Sequence, residues 1–273
     1  MRRSRLAIPA LLLAAAVLLG SALPVAAITG GRPDGEDHPA VGVVLLPGVG
    51  FCSGALIGPS TFLTAGHCTD LFDQVGAAEV FLSFDSQADP AGDLLTASSW
   101  ATHPTYDPSM WPFTVDVGVI WLDEPVASDP ADLPEANRLD PLVPDVGTSR
   151  QRYTTVGYGQ AGTVRGGGVP QPAVTFERRA ASNRAKTGSS QTGLSGLTDL
   201  HLVLAVQPSG QSGGACQGDS GAPVFLGATN ELVAIHEGGA RLGPGGVICA
   251  RISTLNVRLD LPVVLDWLET VTV

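Results

Sequence analysis

The chain has 273 residues, 44% of them hydrophobic and 15% charged, with 34 Gly, 21 Pro and four Cys. The apolar share excludes a disordered chain, four cysteines are too few for a disulfide-scaffold mini-protein, and a chain this long buries about 70 to 75% of its unfolded surface. Fifteen basic residues against 26 acidic ones give a net charge of -11; that field repels phosphate backbones and argues against nucleic acid as a partner.

Residues 1–27 have the layout of an export signal: Arg2, Arg3 and Arg5 lead, Leu6 to Leu19 are apolar, and Pro24-Val25-Ala26-Ala27 ends in small residues. The apolar run is short for a membrane span, and no stop-transfer pattern follows it. The expectation is a secreted protein without stable membrane association, cut after Ala27, with Ala22 as the other position open. Such a cut removes three arginines and no acid, taking the net charge from -11 to -14. In an oxidising compartment four cysteines make two disulfides.

From Ile28 onward short apolar or alternating runs are cut by Gly, Pro, Asp and Ser. The pattern predicts strands over Val41–Leu46, Ala55–Leu63, Val80–Phe84, Val115–Leu122, Tyr153–Val156, Leu200–Val206, Val224–Phe225, Leu232–Ile235 and Val247–Ile252. Many short strands without alternating helices mean antiparallel barrels or sandwiches. The acidic, proline-rich stretch Ala127–Gly147 reads as a linker between two strand-rich halves, 28–145 and 146–273. Gly159–Gly196, with Arg165, Arg178, Arg179, Arg184 and Lys186, reads as a solvated loop with one strand near Val174–Arg178. The last segment reads as a helix, with Pro262 in its first turn and Val264, Leu265, Trp267 and Leu268 at helical spacing.

Three segments carry chemistry: Leu63-Thr64-Ala65-Gly66-His67-Cys68, Val115-Asp116-Val117-Gly118, and Gly218-Asp219-Ser220-Gly221-Ala222-Pro223. Each alone suits a strand end or a tight turn. Together they supply a hydroxyl nucleophile, an imidazole to take its proton and a carboxylate to fix the imidazole tautomer. An α/β-hydrolase needs G-x-S-x-G, and Ala222 stands where the closing glycine belongs.

The order His, Asp, Ser, with Gly on both sides of Asp219-Ser220, resembles the chymotrypsin-like (trypsin-like) serine proteases. So do Ile28-Thr29-Gly30-Gly31, Phe51-Cys52-Ser53-Gly54, His103-Pro104-Thr105-Tyr106, Val156-Gly157-Tyr158-Gly159 and the closing stretch around Trp267. The resemblance implies an all-β fold of two antiparallel six-stranded β-barrels with a C-terminal α-helix, and a monomer that acts on proteins or peptides without cofactor or metal. It implies Ser220 as nucleophile, His67 as general base and acid, Asp116 as orienting carboxylate, and the N–H groups of Gly218 and Ser220 as an oxyanion hole. It pairs Asp219 with a new ammonium at Ile28, so that signal cleavage itself would activate the enzyme. It implies a Cys52–Cys68 bridge and sets Cys216 beside the substrate pocket, with Cys249, later in the chain than the family's usual partner, completing the second bridge.

The same resemblance puts Gly214 at the floor of the primary pocket, His236 in its wall, and Gln217 and Gly239 at its rim. With no carboxylate at 214, cleavage after Arg or Lys is not expected; a Glu held by His236 and a bulky apolar residue both remain open at P1, the residue before the cut. Glu237 falls near Asp116, where a second carboxylate is repulsive. The competing function is a catalytically silent homologue that only binds proteins.

Overall fold

A short apolar strand can be buried on one face or on both, and the computed structural model distinguishes them; it describes residues 28, 30–143, 148–160, 174–186, 199–206, 213–240 and 253–272. After a two-residue strand β1 (Arg32–Pro33), six strands close an antiparallel barrel: β2 (Val41–Leu46), β3 (Gly50–Leu56), β4 (Thr61–Thr64), β5 (Phe81–Ser83), β6 (Leu95–Thr102) and β7 (Gly118–Leu122), in the order β2-β3-β4-β7-β6-β5. Six more are β8 (Thr148–Gly157), β9 (Arg179–Lys186), β10 (His201–Ala205), β11 (Pro223–Leu226), β12 (Leu232–Ala240) and β13 (Ser253–Arg258). Their order is β9-β10-β13-β12-β11-β8; pairing of β8 with β9 closes the second barrel, and β1 adds to β9. Among the described residues the only α-helices are α1 (Gly66–Val75), between β4 and β5, and α2 (Pro262–Val271), after β13.

All six residues of β2 are buried because each face has its own core. Val44 and Leu46 point into the first barrel with Leu56, Phe62, Leu82, Ile120 and Leu122. Val41, Val43 and Leu45 pack outward with Leu63 and Val119 against Val156, Tyr158, Phe225, Ile235 and Val257 of the second barrel. The second barrel alternates in the same way: Val224 and Leu226 face its interior with Tyr153, Leu202, Leu204 and Val233, while Phe225 faces the seam. Each such side chain contributes about 1.5 to 3 kcal/mol on burial, so the seam is an extension of the core and not a loose contact.

The expected run Ala55–Leu63 is two strands, β3 and β4, because Gly58-Pro59-Ser60 turns the chain between them. Helix α1 and strands β6 and β9 were not anticipated. β6 carries Thr, Ser and Ala at exposed or half-buried positions and so lacks an apolar face. β9 corrects the reading of a solvated loop: Arg178, Arg179 and Lys186 are buried, and of that basic cluster Arg184 is exposed. Arg165 and the expected strand Val247–Ile252 lie outside the described residues, and the last strand of the second barrel is β13, between β10 and β12.

Helix α2 starts on Pro262, whose missing N–H costs nothing in a first turn. It buries Val264 and Leu268, one turn apart, in the seam cluster. His103 Nε2 lies 3.1 Å from Val263 O, the Trp267 ring meets His103 edge-on, and Trp121 Nε1 donates to Val271 O at 2.8 Å. The helix thus follows the second barrel in sequence and docks on the first.

Arg178 spans the seam without contact to water. Its guanidinium donates to Asp34 Oδ2 at 3.1 Å and to the carbonyls of Val41, Phe84 and Gly35. Arg178→Ala leaves those carbonyls unpaired and takes one cation from the buried Asp34, so urea unfolding should show a loss of about 3 to 5 kcal/mol.

Candidate active site

His67 is the second residue of α1, and a Cys52–Cys68 disulfide ties that helix to β3. Asp116 lies just before β7 and is 1% exposed. Its Oδ1 accepts the His67 backbone N–H at 2.6 Å, and its Oδ2 accepts from His67 Nδ1 at 2.6 Å. Because a carboxylate only accepts, Nδ1 carries the proton and Nε2 keeps its lone pair. Burial alone would lower the pKa of His67, but the hydrogen bond and charge of Asp116, with weaker help from Glu237 and Asp70, outweigh it and raise the pKa above the ordinary 6.5.

Ser220 reaches the same place from the second barrel. The Ser53 backbone N–H donates to Ser220 O at 2.8 Å, and the Gly221 N–H donates to His236 O at 2.7 Å. Gly221 lies at φ 79, and a Cβ there would strike Thr64 Oγ1 and the Ser53 carbonyl and come within 2.7 Å of Ala65 N. The absence of a side chain therefore lets the serine loop press against the residues that immediately precede His67. No hydrogen bond joins Ser220 Oγ to the imidazole among the described residues.

Gly218 has φ 94, a left-handed value that an L side chain resists, and a Cβ there would run into the Phe51 ring. Its carbonyl accepts from Ser53 Oγ at 2.9 Å, and the same Oγ accepts the Tyr158 N–H at 3.0 Å. The N–H groups of Gly218 and Ser220 make no hydrogen bond among the described residues. Ser53 thus braces the loop through its backbone and its hydroxyl, a task that its place in an apolar strand does not reveal.

Asp219 points the other way, into the interior, with no exposed surface. It accepts from Gly159 N and Cys216 N, each at 2.8 Å, and glycine at 157 and 159 leaves room for the carboxyl group. No cation pairs with it among the described residues. Burial pushes its pKa up to about 7 despite the two N–H donors. Ile28 is fully buried nearby: β1 pairs Arg32 with Ala180, and Ala180 pairs with Val156, next to Gly157.

The expected pocket residues are partly grouped. Gly214 and His236 are buried, Gln217 is exposed, and Gly239 is half-buried opposite Thr254. Asn256 Nδ2 donates to Leu202 O and Thr254 Oγ1, which turns its Oδ1 toward His236 Nδ1 at 3.3 Å. Burial, only partly offset by Asn256, brings the His236 pKa down to about 4, so the ring is neutral at neutral pH. Cys216 is disulfide-bonded, whereas Cys249 lies outside the described residues, as do 207–212 and 241–250 on either side of the pocket sequence. Glu237 is buried and bonded to His201, a partner that sequence reasoning missed because it opens an otherwise apolar strand.

Two barrels with the His and Asp segments on one and the Ser segment on the other define the chymotrypsin-like class of fold. The 1.7 Å structure of HL collagenase superposes with a TM-score of 0.67 at 17% identity, over 89% of this chain and 97% of that one. A protein described as trypsin from Saccharopolyspora erythraea is 29% identical over 216 residues, covering 78% of this chain and 87% of its own. The profile of the family described as Trypsin matches residues 28–258. The chain belongs to the trypsin family of serine proteases.

The buried Asp219 has a signature in stability. With a folded pKa near 7 against an ordinary 3.8, stability is complete below the ordinary value and is lost as pH rises through the folded one. A chain in which Ile28 is still joined to Ala27 should therefore show falling urea midpoints between about pH 4 and about pH 7, and Asp219→Asn should flatten that fall.

Proposed function

We propose that this protein is a secreted serine endopeptidase that hydrolyses peptide bonds through an acyl-enzyme, with Ser220 as nucleophile, His67 as general base and acid, and Asp116 as the orienting group. The observation that carries the proposal is the double grip of Asp116 on His67, which aims an unprotonated Nε2 away from Asp116. That nitrogen takes the Ser220 proton as Oγ attacks the scissile carbonyl, and it returns the proton to the leaving amine. The Gly218 and Ser220 N–H groups receive the negative charge that develops on the carbonyl oxygen, a donor pair in which each member is worth about 3 kcal/mol in the transition state. Water then repeats the attack and frees the acid product.

Export and activation are one event in this proposal. Cleavage after Ala27 converts the Ile28 nitrogen into an ammonium, and the cation-free Asp219 is its partner. The pair raises the ammonium above its free pKa of about 8, so its stabilisation is present below that value and lost as pH climbs through the raised one. Mass spectrometry of the active secreted protein should find Ile28 as the first residue; an active form that begins upstream removes this part of the proposal.

Among the described residues, those assigned to the pocket carry no charge at neutral pH. Gly214 offers no counter-ion to Arg or Lys, and neutral His236, its Nδ1 proton turned to Asn256, is a poor partner for a Glu carboxylate. Bulky apolar P1 residues fit best. A peptide library should show weak cleavage after Arg, Lys and Glu, and a sharp preference for any of these three would overturn the assignment of the pocket.

Fluorophosphonate labelling tests the chemistry without knowledge of a substrate. Ser220 should be modified and Ser220→Ala should not, while a chain that binds proteins but never labels is the silent homologue. The labelling rate should rise with pH through a midpoint above 6.5, since only the neutral His67 is a base. Asp116→Asn should cut it by about 10^4, the scale known for loss of an orienting carboxylate in this enzyme class.

A further inference from the structure

Glu237 occupies a bulge in β12: His236 pairs with Asn256 and Gly238 with Leu255, so no residue of β13 stands opposite Glu237. A bulge re-aims the side chain that it carries, and here a carboxylate is turned fully out of solvent. The first residue of β10, His201, is equally buried and brings its Nε2 to 2.5 Å from Glu237 Oε2. The other oxygen, Oε1, has no hydrogen-bond partner among the described residues. An imidazole and a carboxylate sealed together cost less than either charge alone, yet replacing the pair by apolar groups usually costs less still. Its presence beside the site calls for a reason.

The titratable groups acting around Glu237 come from several elements: His67 from α1, Asp116 from the segment before β7, Tyr106 from the loop after β6 and His201 from β10. Asp116 spends both oxygens on His67; Glu237 follows His236, whose carbonyl accepts the Gly221 N–H beside Ser220, and acts on the His67–Asp116 couple through space. Resting on the reading of His67 as the base for Ser220, the geometry points to Glu237 and His201 as a positioning pair that holds one proton between its members and sets, by the negative charge of Glu237, the pH at which His67 becomes a base.

The Glu237 carboxylate is kept ionised in a dry neighbourhood by the N–H that His201 donates to it. The pair stands or falls as a unit. Glu237→Gln removes the negative charge directly. His201→Gln removes the imidazole donor, and Glu237, whose pKa is already raised by burial and by Asp116 against the pull of His201, then takes up a proton from solvent and becomes neutral. Either change leaves His67 with one anionic neighbour fewer, and the second change adds nothing to the first.

The test is the pH dependence of Ser220 labelling by a fluorophosphonate in wild type, Glu237→Gln, His201→Gln and the double variant, all as the processed full chain. Each single variant should move the acidic midpoint down by roughly one pH unit, and the double variant no further. A midpoint that stays put in a single variant folded by circular dichroism, or two shifts that add, overturns the proposal. A wild type that never labels overturns the underlying reading and takes the proposal with it. If the variants do not fold, 15N-histidine NMR of the wild type decides: the Nε2 proton of His201 should persist across the range in which His67 titrates, and its loss before His67 titrates overturns the pair.

Discussion

A single carboxylate in the dry seam between the barrels takes both the backbone N–H and the ring Nδ1 of one residue, and the geometry of the site follows from that double contact. Asp116 accepts from the two groups of His67 at 2.6 Å each, so neither the start of α1 nor the imidazole can rotate independently of the other. The contact requires α1 to begin close to the segment before β7, which β4 and β7 ensure by pairing through Thr64 and Gly118. It also requires the ring to lie at the mouth of the seam, where its side chain keeps 34% of its exposure and can meet a substrate. Chemistry at the surface is thereby aimed by a group that water does not reach.

The second barrel contributes opposite pressures. Its serine loop carries Asp219 inward and Ser220 outward in consecutive residues, while Gly218 and Gly221 take left-handed angles on either side. The inward carboxylate has its pKa raised toward neutral pH by burial, so the loop holds one acid that no cation among the described residues balances. Glu237 presents the same difficulty in β12, and there the chain supplies its own imidazole.

The motifs around His67, Asp116 and Ser220 stood out in the sequence by their conjunction and order, since each alone suits a strand end or a turn: an apolar strand ending in Ala-Gly-His-Cys, an Asp opening a buried strand, an Asp-Ser pair fenced by glycines. The barrels were legible from the apolar runs, since β2, β4, β7, β10 and β11 are nearly all buried. β9 was not, because its sequence Arg-Ala-Ala-Ser-Asn-Arg-Ala-Lys reads as solvated while Asn183 donates to two buried carbonyls and Arg179 to Gly31. Polar side chains whose partners come from remote backbone leave no local period. The same holds for His201 and Glu237, which lie 36 positions apart in sequence and meet where β12 bulges against β13.

The order in which the chain is made bears on when its two halves can lock together. β13 lies between β10 and β12, and α2 then reaches back to Trp121 and His103 of the first half. A nascent polypeptide that has already released His67, Asp116 and Ser220 from the ribosome still lacks the stave that completes its second barrel and the latch that fastens the two halves. The frame is finished last, after translation has passed residue 271, and a prematurely terminated product carries His67, Asp116 and Ser220 without the elements that fix the two halves together.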